Sequence, residues 1–431
     1  MKRIILIFTF ISAFFVNSQN KQTVNWINTN LIEIEDANPN SELAVFNENT
    51  PDRFTNAKIY GFGEASHNTK EFFDIKAKFF KHLVKTQGLK IFIMEESYQA
   101  EAGINEWISG GKGDVNTIAK NFNMPWWYSK EIVNLLQWMR NYNLGKQKEN
   151  QIRFYGMDIQ IGKNLGNEIR RFVNNHKMSI DKDLLEIADS CSNKMINYTK
   201  SDKWWQLQIP KLNELKKEIE VSQIEDKEYK QLIRSLDYLI AYTQYASKTK
   251  SKYPESNEFR DLKMFENVKW IVENESKNGK AFIWAHNEHI NKKEMFSNGS
   301  GIKNLGFHLK DYYKDEYYSV GFDFGIGKIK GLVLDRKKGN YWKTYHIKQP
   351  FRKTLAKTLK AANKDIYFID LQEAIESDSS NFFIKKNKHL LIAGGGYKPK
   401  PLYKIMITKI FSETYDGLIF VKNISISNSI Y

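Results

Sequence analysis

Five short apolar runs in this chain each stop at an ionisable residue, and no other feature constrains the fold as tightly. They are Ile59-Tyr60-Gly61-Phe62-Gly63 before Glu64, Ile91-Phe92-Ile93-Met94 before Glu95, and Ile152-Arg153-Phe154-Tyr155-Gly156-Met157 before Asp158. Two more are Ala281-Phe282-Ile283-Trp284-Ala285 before His286 and Tyr318-Ser319-Val320-Gly321-Phe322 before Asp323. Runs this short, rich in β-branched and aromatic side chains, read as buried strands. Helical stretches lie between most of them, as at 71–86 and 131–141. The alternation predicts βα units, and so an α/β fold with a largely parallel central sheet flanked by helices. In open parallel sheets, ligands bind beyond the carboxyl ends of the strands. The ionisable residues that end these runs are therefore expected to become neighbours, although they lie far apart in sequence.

Further apolar runs at 366–369, 390–393 and 418–421 read as later strands of the same domain or of a small C-terminal layer. Between about 181 and 250 the pattern changes to long charged helices, with Ile233, Leu236, Leu239 and Ile240 spaced along one face. A helical insertion is expected there, serving as a cap or a dimer contact. No internal repeat or Pro-rich linker interrupts the chain.

With 431 residues, 41% of them hydrophobic, the chain has ample material for one principal domain over 19–431. Its start, Met1-Lys2-Arg3 followed by the apolar stretch 4–16, has the charged and apolar regions of a signal peptide, with Val16-Asn17-Ser18 as a cleavage site. A leader over 1–18 and a periplasmic or secreted location are expected. The stretch is shorter than the roughly 20 apolar residues of a spanning helix, so no stable membrane insertion is expected after its removal. The single cysteine, Cys191, cannot form an internal disulfide, and without a nearby histidine it is not expected to be catalytic. The net charge of +15 is spread along the chain without a nucleic-acid motif, which favours solubility over nucleic-acid binding. Nothing in the sequence fixes an oligomeric state.

The strongest local signal is Gly61-Phe62-Gly63-Glu64-Ala65-Ser66-His67-Asn68-Thr69-Lys70-Glu71. A strand breaks at glycines and throws Glu64 and His67 into the turn before a helix. Gly63 is expected to permit a tight turn, and the helix N-terminus favours negative charge, including a developing oxyanion. A carboxylate beside an imidazole fixes its tautomer, which suits His67 to take a proton from water; the competing reading is a helix cap and a surface histidine. The second signal is Trp284-Ala285-His286-Asn287-Glu288-His289. Two histidines at i and i+3 would need a third ligand to hold a metal, from His67, Glu64 or Glu95, and no His-Glu-x-x-His helix is present. No metal and no cofactor is expected; His286 and His289 then polarise a carbonyl, shuttle a proton or bind substrate.

At least one of Glu95 and Glu96 should emerge at the sheet edge, and alternation does not decide which. Asp158 and Asp323 sit at comparable strand ends, where capping a helix or holding an arginine is the favoured reading; Asp158 also stands with His289 and Trp126 among the substrate-binding candidates. Trp126, in Met124-Pro125-Trp126-Trp127, and the Lys203-Trp204-Trp205 pair would line an apolar cleft or else serve as core aromatics. Gly110-Gly111-Lys112-Gly113-Asp114 lacks the Lys-Ser/Thr of a phosphate loop and reads as a turn. No Gly-x-Ser-x-Gly elbow occurs, which counts against a serine hydrolase.

Taken in chain order, these segments resemble the erythromycin esterase-like family. The likeness is carried by Gly63-Glu64-Ala65-Ser66-His67 with Glu71-Phe72-Phe73, the strand end at Glu95, Gly110 to Asp114, Trp138-Met139-Arg140 with Asn143, and Tyr155-Gly156-Met157-Asp158. It continues through Arg260-Asp261 with Met264 and Asn267, Trp284-Ala285-His286-Asn287 with His289, Gly321-Phe322-Asp323-Phe324-Gly325, and Tyr415-Asp416-Gly417-Leu418-Ile419-Phe420. The resemblance implies a hydrolase of a small-molecule ester or lactone such as a macrolide, an activity that confers antibiotic resistance. It implies water activated by the turn histidine, with no covalent serine and no required metal. On the matching positions His67 is the general base, Glu64 and Glu95 orient it or the water, and Arg260 and His286 stabilise the carbonyl oxygen or assist the leaving hydroxyl. His289 is a second contact to the substrate.

Two positions depart from the family pattern. Asn68 follows the motif histidine where glycine is usual, altering the turn beside the base, and Glu288 adds a charge between the later histidines. The rival reading is a non-catalytic envelope protein that holds a metal or haem with the same histidines. A third, an envelope or polysaccharide-associated factor, is suggested by the basic surface and the export signal.

Overall fold

The computed structural model describes residues 21–192, 200–221, 227–249, 253–333, 341–352, 354–377, 381–390 and 406–430. The expected leader lies outside these residues, as does all of the expected strand at 390–393 except Leu390. The described strands are β1 (Ile32–Glu33), β2 (Ile59–Phe62), β3 (Ile91–Ser97), β4 (Arg153–Asp158), β5 (Ala281–Trp284) and β6 (Tyr317–Val333). They continue as β7 (Tyr341–Ile347), β8 (Ile366–Asp370), β9 (Lys386–Leu390), β10 (Met406–Ile410) and β11 (Gly417–Ile424). The chain divides into two compact units, one of Met1–Leu89, Ser129–Ile132 and Lys280–Tyr431, the other of Lys90–Tyr128 and Val133–Gly279.

In the first unit the strands run in the order β1-β8-β11-β6-β2-β5. The centre, β5, β2, β6 and β11, is parallel. In this sheet, among the described strands, β8 pairs antiparallel with β11, β1 with β8, and β7 with the far half of β6. Strands β2 and β5 are buried at every residue, as parallel strands covered on both faces must be, and this is why they read as unbroken apolar runs. Helix α1 (Lys70–Gln87) follows β2 and ends at Gly88, whose φ of 64° is a left-handed cap. Strand β6 is far longer than its apolar run. Beyond Gly325 it passes through Lys328 and Lys330, where the ladder with β7 leaves side chains partly exposed and the apolar signal fades. Strands β9 and β10 form a separate two-stranded antiparallel ribbon.

The second unit carries the parallel pair β3 and β4. Its helices include Leu165–Asn175, Lys182–Cys191, Asp202–Val221, α2 (Lys227–Ala246) and α3 (Tyr253–Glu275). The helices expected over 181–250 are present, as part of a larger unit that begins at Lys90. Leu184, Trp205, Leu212, Leu215, Leu236, Leu239 and Tyr242 make their core, with Ile233 partly buried against it. Cys191 lies in that core, where burial pushes its thiol up to about 12 and keeps it unreactive. Among the described residues no helix is long and apolar enough to cross a membrane.

Candidate active site

The first unit builds the turn that carries Glu64 and His67 where β2 and β5 end beside β6. Gly63 follows β2, but a tight turn is not what requires a glycine there: it is absent from the residues of positive φ. A Cβ at Gly63 would lie 2.1 Å from Asn287 Oδ1, so the position is fixed by close approach. Asn287 Nδ2 donates to the Phe322 carbonyl at 2.7 Å, its Oδ1 accepts from the Phe322 N–H at 3.0 Å, and its own N–H donates to the Glu64 carbonyl at 3.0 Å. These bonds lace together the chain leaving β2, the chain leaving β5, and β6. Asn68 completes the turn with φ 56°, a left-handed backbone that glycine enters freely and asparagine tolerates. The departure at Asn68 therefore adds a side chain without demanding a different turn.

Glu64 is fully buried and bridges two partners. Its Oε1 lies 2.5 Å from His67 Nδ1, and its Oε2 accepts from Lys76 Nζ at 2.5 Å. Lys76 is itself fully buried, with its ammonium 4.1 Å from the ring centre of Trp284. A lone charge at that depth would be costly; the carboxylate and the indole face together offset the loss of water. A carboxylate at Nδ1 holds the proton there and leaves the Nε2 lone pair to act as a base. Sequence reasoning missed Lys76. Its signal was a cation within the stripe Phe72, Phe73, Phe79, Phe80 and Leu83 of α1, a face that otherwise reads as core.

His286 presents the opposite polarity. It precedes the one-turn helix Asn287–Ile290, and its Nδ1 accepts from the Glu288 N–H at 3.2 Å. A neutral imidazole with an accepting Nδ1 carries its proton on Nε2, so this ring is a donor. The His67 and His286 ring centres are 5.2 Å apart, with the planes inclined at 57°. His289 is buried on the same short helix, its N–H donating to the His286 carbonyl at 3.0 Å. Glu288 was expected to add charge near the pocket. Instead its Oε2 accepts from the buried Lys409 Nζ at 3.1 Å and from the Phe296 N–H at 2.5 Å, so the charge is compensated.

The second unit gathers the other acids around an arginine. Strand β3 runs on through Glu95 and Glu96, and the two carboxylates have different partners. Glu95 Oε1 accepts from Arg260 Nη2 at 2.9 Å. Glu96 instead accepts the backbone N–H groups of Ser97, Asn123 and Met124 at 2.6, 3.0 and 2.9 Å, and anchors a loop. Burial raises the Glu96 carboxyl to about 7, opposed by those donors and helped by the charge of Asp158. Asp158, expected among the substrate contacts, gives both oxygens to Arg260: Oδ1 accepts from Nε at 2.9 Å and Oδ2 from Nη2 at 2.6 Å. Holding the arginine is thus its observed role, because a bidentate carboxylate is what a guanidinium this buried requires. Burial works against the Arg260 charge, but attraction to Asp158 and then Glu95 raises its pKa well above the ordinary arginine value.

Trp126 is partly exposed and meets Trp127 edge to face, with ring centres 6.2 Å apart; Trp127 Nε1 donates to the Glu95 carbonyl at 3.2 Å. The loop at Gly110 and Gly111 turns its carbonyls toward Arg140, which donates to Gly111 O at 2.9 Å, so it binds a cation rather than a phosphate. An open cleft of about 690 Å³ in the second unit is lined by Tyr98, Glu101, Arg153, Tyr155, Arg234 and Trp270, and by none of the expected site residues. Among the described residues no group of three His, Cys, Asp or Glu side chains is placed to hold a metal ion.

The sequence model of the erythromycin esterase family matches residues 84–424. Erythromycin esterase type II of Escherichia coli is 24% identical over 355 residues, which cover 74% of this chain and 83% of that relative. Among solved structures, a Bacillus cereus protein from a structural genomics programme superposes with a TM-score of 0.81 at 22% identity, covering 96% of this chain and 99% of that one. A protein described as a succinoglycan biosynthesis protein follows at 0.78 and 21%, covering 95% and 98%. A histidine-to-asparagine variant of the erythromycin esterase EreC in its open conformation gives 0.67 at 14%, covering 92% and 98%. At these identities the structural likenesses carry the fold, while the sequence match runs through both units. The chain belongs to the erythromycin esterase family and is an ester-hydrolysing enzyme.

Proposed function

We propose that this esterase cleaves an ester or lactone of the macrolide kind with water activated by His67. The observation that carries the reading is the buried series Lys76, Glu64, His67, with the His286 ring facing the base at 5.2 Å. Glu64 keeps the Nδ1 proton in place, so Nε2 takes the proton of the attacking water. The Nε2 hydrogen of His286 supplies a donor for the oxyanion of the tetrahedral intermediate or for the departing alkoxide. His289, buried on the short helix that follows His286, contacts the substrate. No covalent enzyme intermediate is needed, in keeping with the absence of a nucleophile elbow. The macrolide assignment rests on the name of the Escherichia coli relative, and the export assignment on the charged and apolar start of the chain.

The test is hydrolysis of a macrolide lactone and of a simple aryl ester by the purified chain and by its His67→Ala variant. Turnover should fall by about 100- to 10,000-fold with the thermal transition retained. A folded His67→Ala variant with undiminished turnover removes His67 from the mechanism.

A further inference from the structure

We propose that Lys409 is a positioning residue for His286, acting through Glu288. This rests on the role given to His286 above. The ribbon of β9 and β10 pairs Ile407 with His389 and Lys409 with Asn387. Strand alternation gives it one buried face carrying His389, Ile407 and Lys409, while Lys386 and Lys388 are exposed. A lysine on a two-stranded ribbon ordinarily keeps its ammonium in water. Lys409 is only 1% exposed, because its Nζ reaches Glu288, itself 3% exposed.

Glu288 is held from several sides. Its carbonyl accepts from Asn291 Nδ2 at 3.0 Å and Asn304 Nδ2 at 2.7 Å, and its Oε2 from the Phe296 N–H and Lys409 Nζ. Its backbone N–H in turn donates to His286 Nδ1. The residue that neutralises the Glu288 side chain therefore steadies the N–H that sets the tautomer of the catalytic donor. Without Lys409 the buried carboxylate has lost its ion-pair partner, and the turn must shift to hydrate it. A shift of that kind displaces the His286 ring, and displacements near 1 Å at a reacting group cost up to about 100-fold in rate. The same ribbon makes a second contact, His389 Nδ1 to Asp323 Oδ2 at 3.4 Å, which involves neither histidine of the site and so serves as a control.

The experiment compares Lys409→Met, Lys409→Arg and His389→Gln in the full chain, by ester kinetics and by the ¹⁵N shifts of the histidine rings. Lys409→Met should lower kcat roughly 10- to 100-fold with KM little changed, and should move the His286 Nδ1 and Nε2 signals. Lys409→Arg should restore both, and His389→Gln should change neither. If Lys409→Met does not fold, the double variant Glu288→Gln with Lys409→Met removes the stranded charge and should fold with near-native kcat and unmoved His286 signals; a 10- to 100-fold loss of kcat in the folded double variant overturns the route through Glu288. Unmoved His286 signals and an unchanged kcat in folded Lys409→Met overturn the proposal, as does an equal loss in His389→Gln. Failure of the His286 assignment itself is seen separately, as full activity in His286→Ala, and the ring shifts still report whether Lys409 governs that imidazole.

Discussion

Two buried charge networks, one in each unit, are built from the same materials and end differently. In the first, Glu64 lies between Lys76 and His67. In the second, Arg260 lies between Asp158 and Glu95. The first ends on the imidazole of His67, whose Nδ1 faces the carboxylate. The second centres on a guanidinium driven further from titration by its carboxylates. The difference teaches that burial with compensation serves two ends here: one network holds a proton in a movable position, the other fixes a charge that stays.

The contrast breaks most severely if Arg260 goes. Arg260→Leu leaves Asp158 and Glu95 as uncompensated buried acids, and urea denaturation should show a loss of about 3–5 kcal/mol. The same operation on the first network should cost less. In Lys76→Met, Glu64 keeps its hydrogen bond to His67, so the loss should be about 1–3 kcal/mol. A loss as large as that of Arg260→Leu would show that the first network has no more give than the second. The effect that is smallest per pH unit concerns Glu96, which lies beside the Arg260 network but holds no cation. Its carboxyl is raised from an ordinary 4.5 to about 7, so between those values the folded chain holds a proton that the unfolded chain has released. Raising the pH through that window therefore favours unfolding, by at most about 1.4 kcal/mol per pH unit. Melting curves across the window should show this slope in the native chain and a flatter one in Glu96→Gln.

The strand ends were legible because a strand buried on both faces must be continuously apolar, so its last residue announces itself. Glu64, Asp158 and His286 lie at or just past such ends, while Glu95 lies within β3, which runs on, still buried, to Ser97. Lys76, Lys409 and the role of Asn287 were not legible. A lysine in a helix or ribbon reads as solvated, and only the burial of its partner shows that it is a counter-ion. Asp158 marks the limit of the same reading, since in sequence a strand-end acid looks the same whether it awaits a ligand or holds an arginine; its bonds to Arg260 of α3 show the second, which was the favoured reading of that position. Gly63 was correctly marked as special, but for its turn rather than for the asparagine side chain pressed against it.

By itself the sequence determined the alternation of strand and helix, the parallel core and the identity of the turn histidine, because periodicity and local turn chemistry are written within a few residues. The tertiary structure alone decided which charges are paired and which imidazole donates. The lysine and arginine pairs of the two networks join residues from 12 to 165 positions apart, and depend on the removal of water, which turns a surface lysine into an obligate partner.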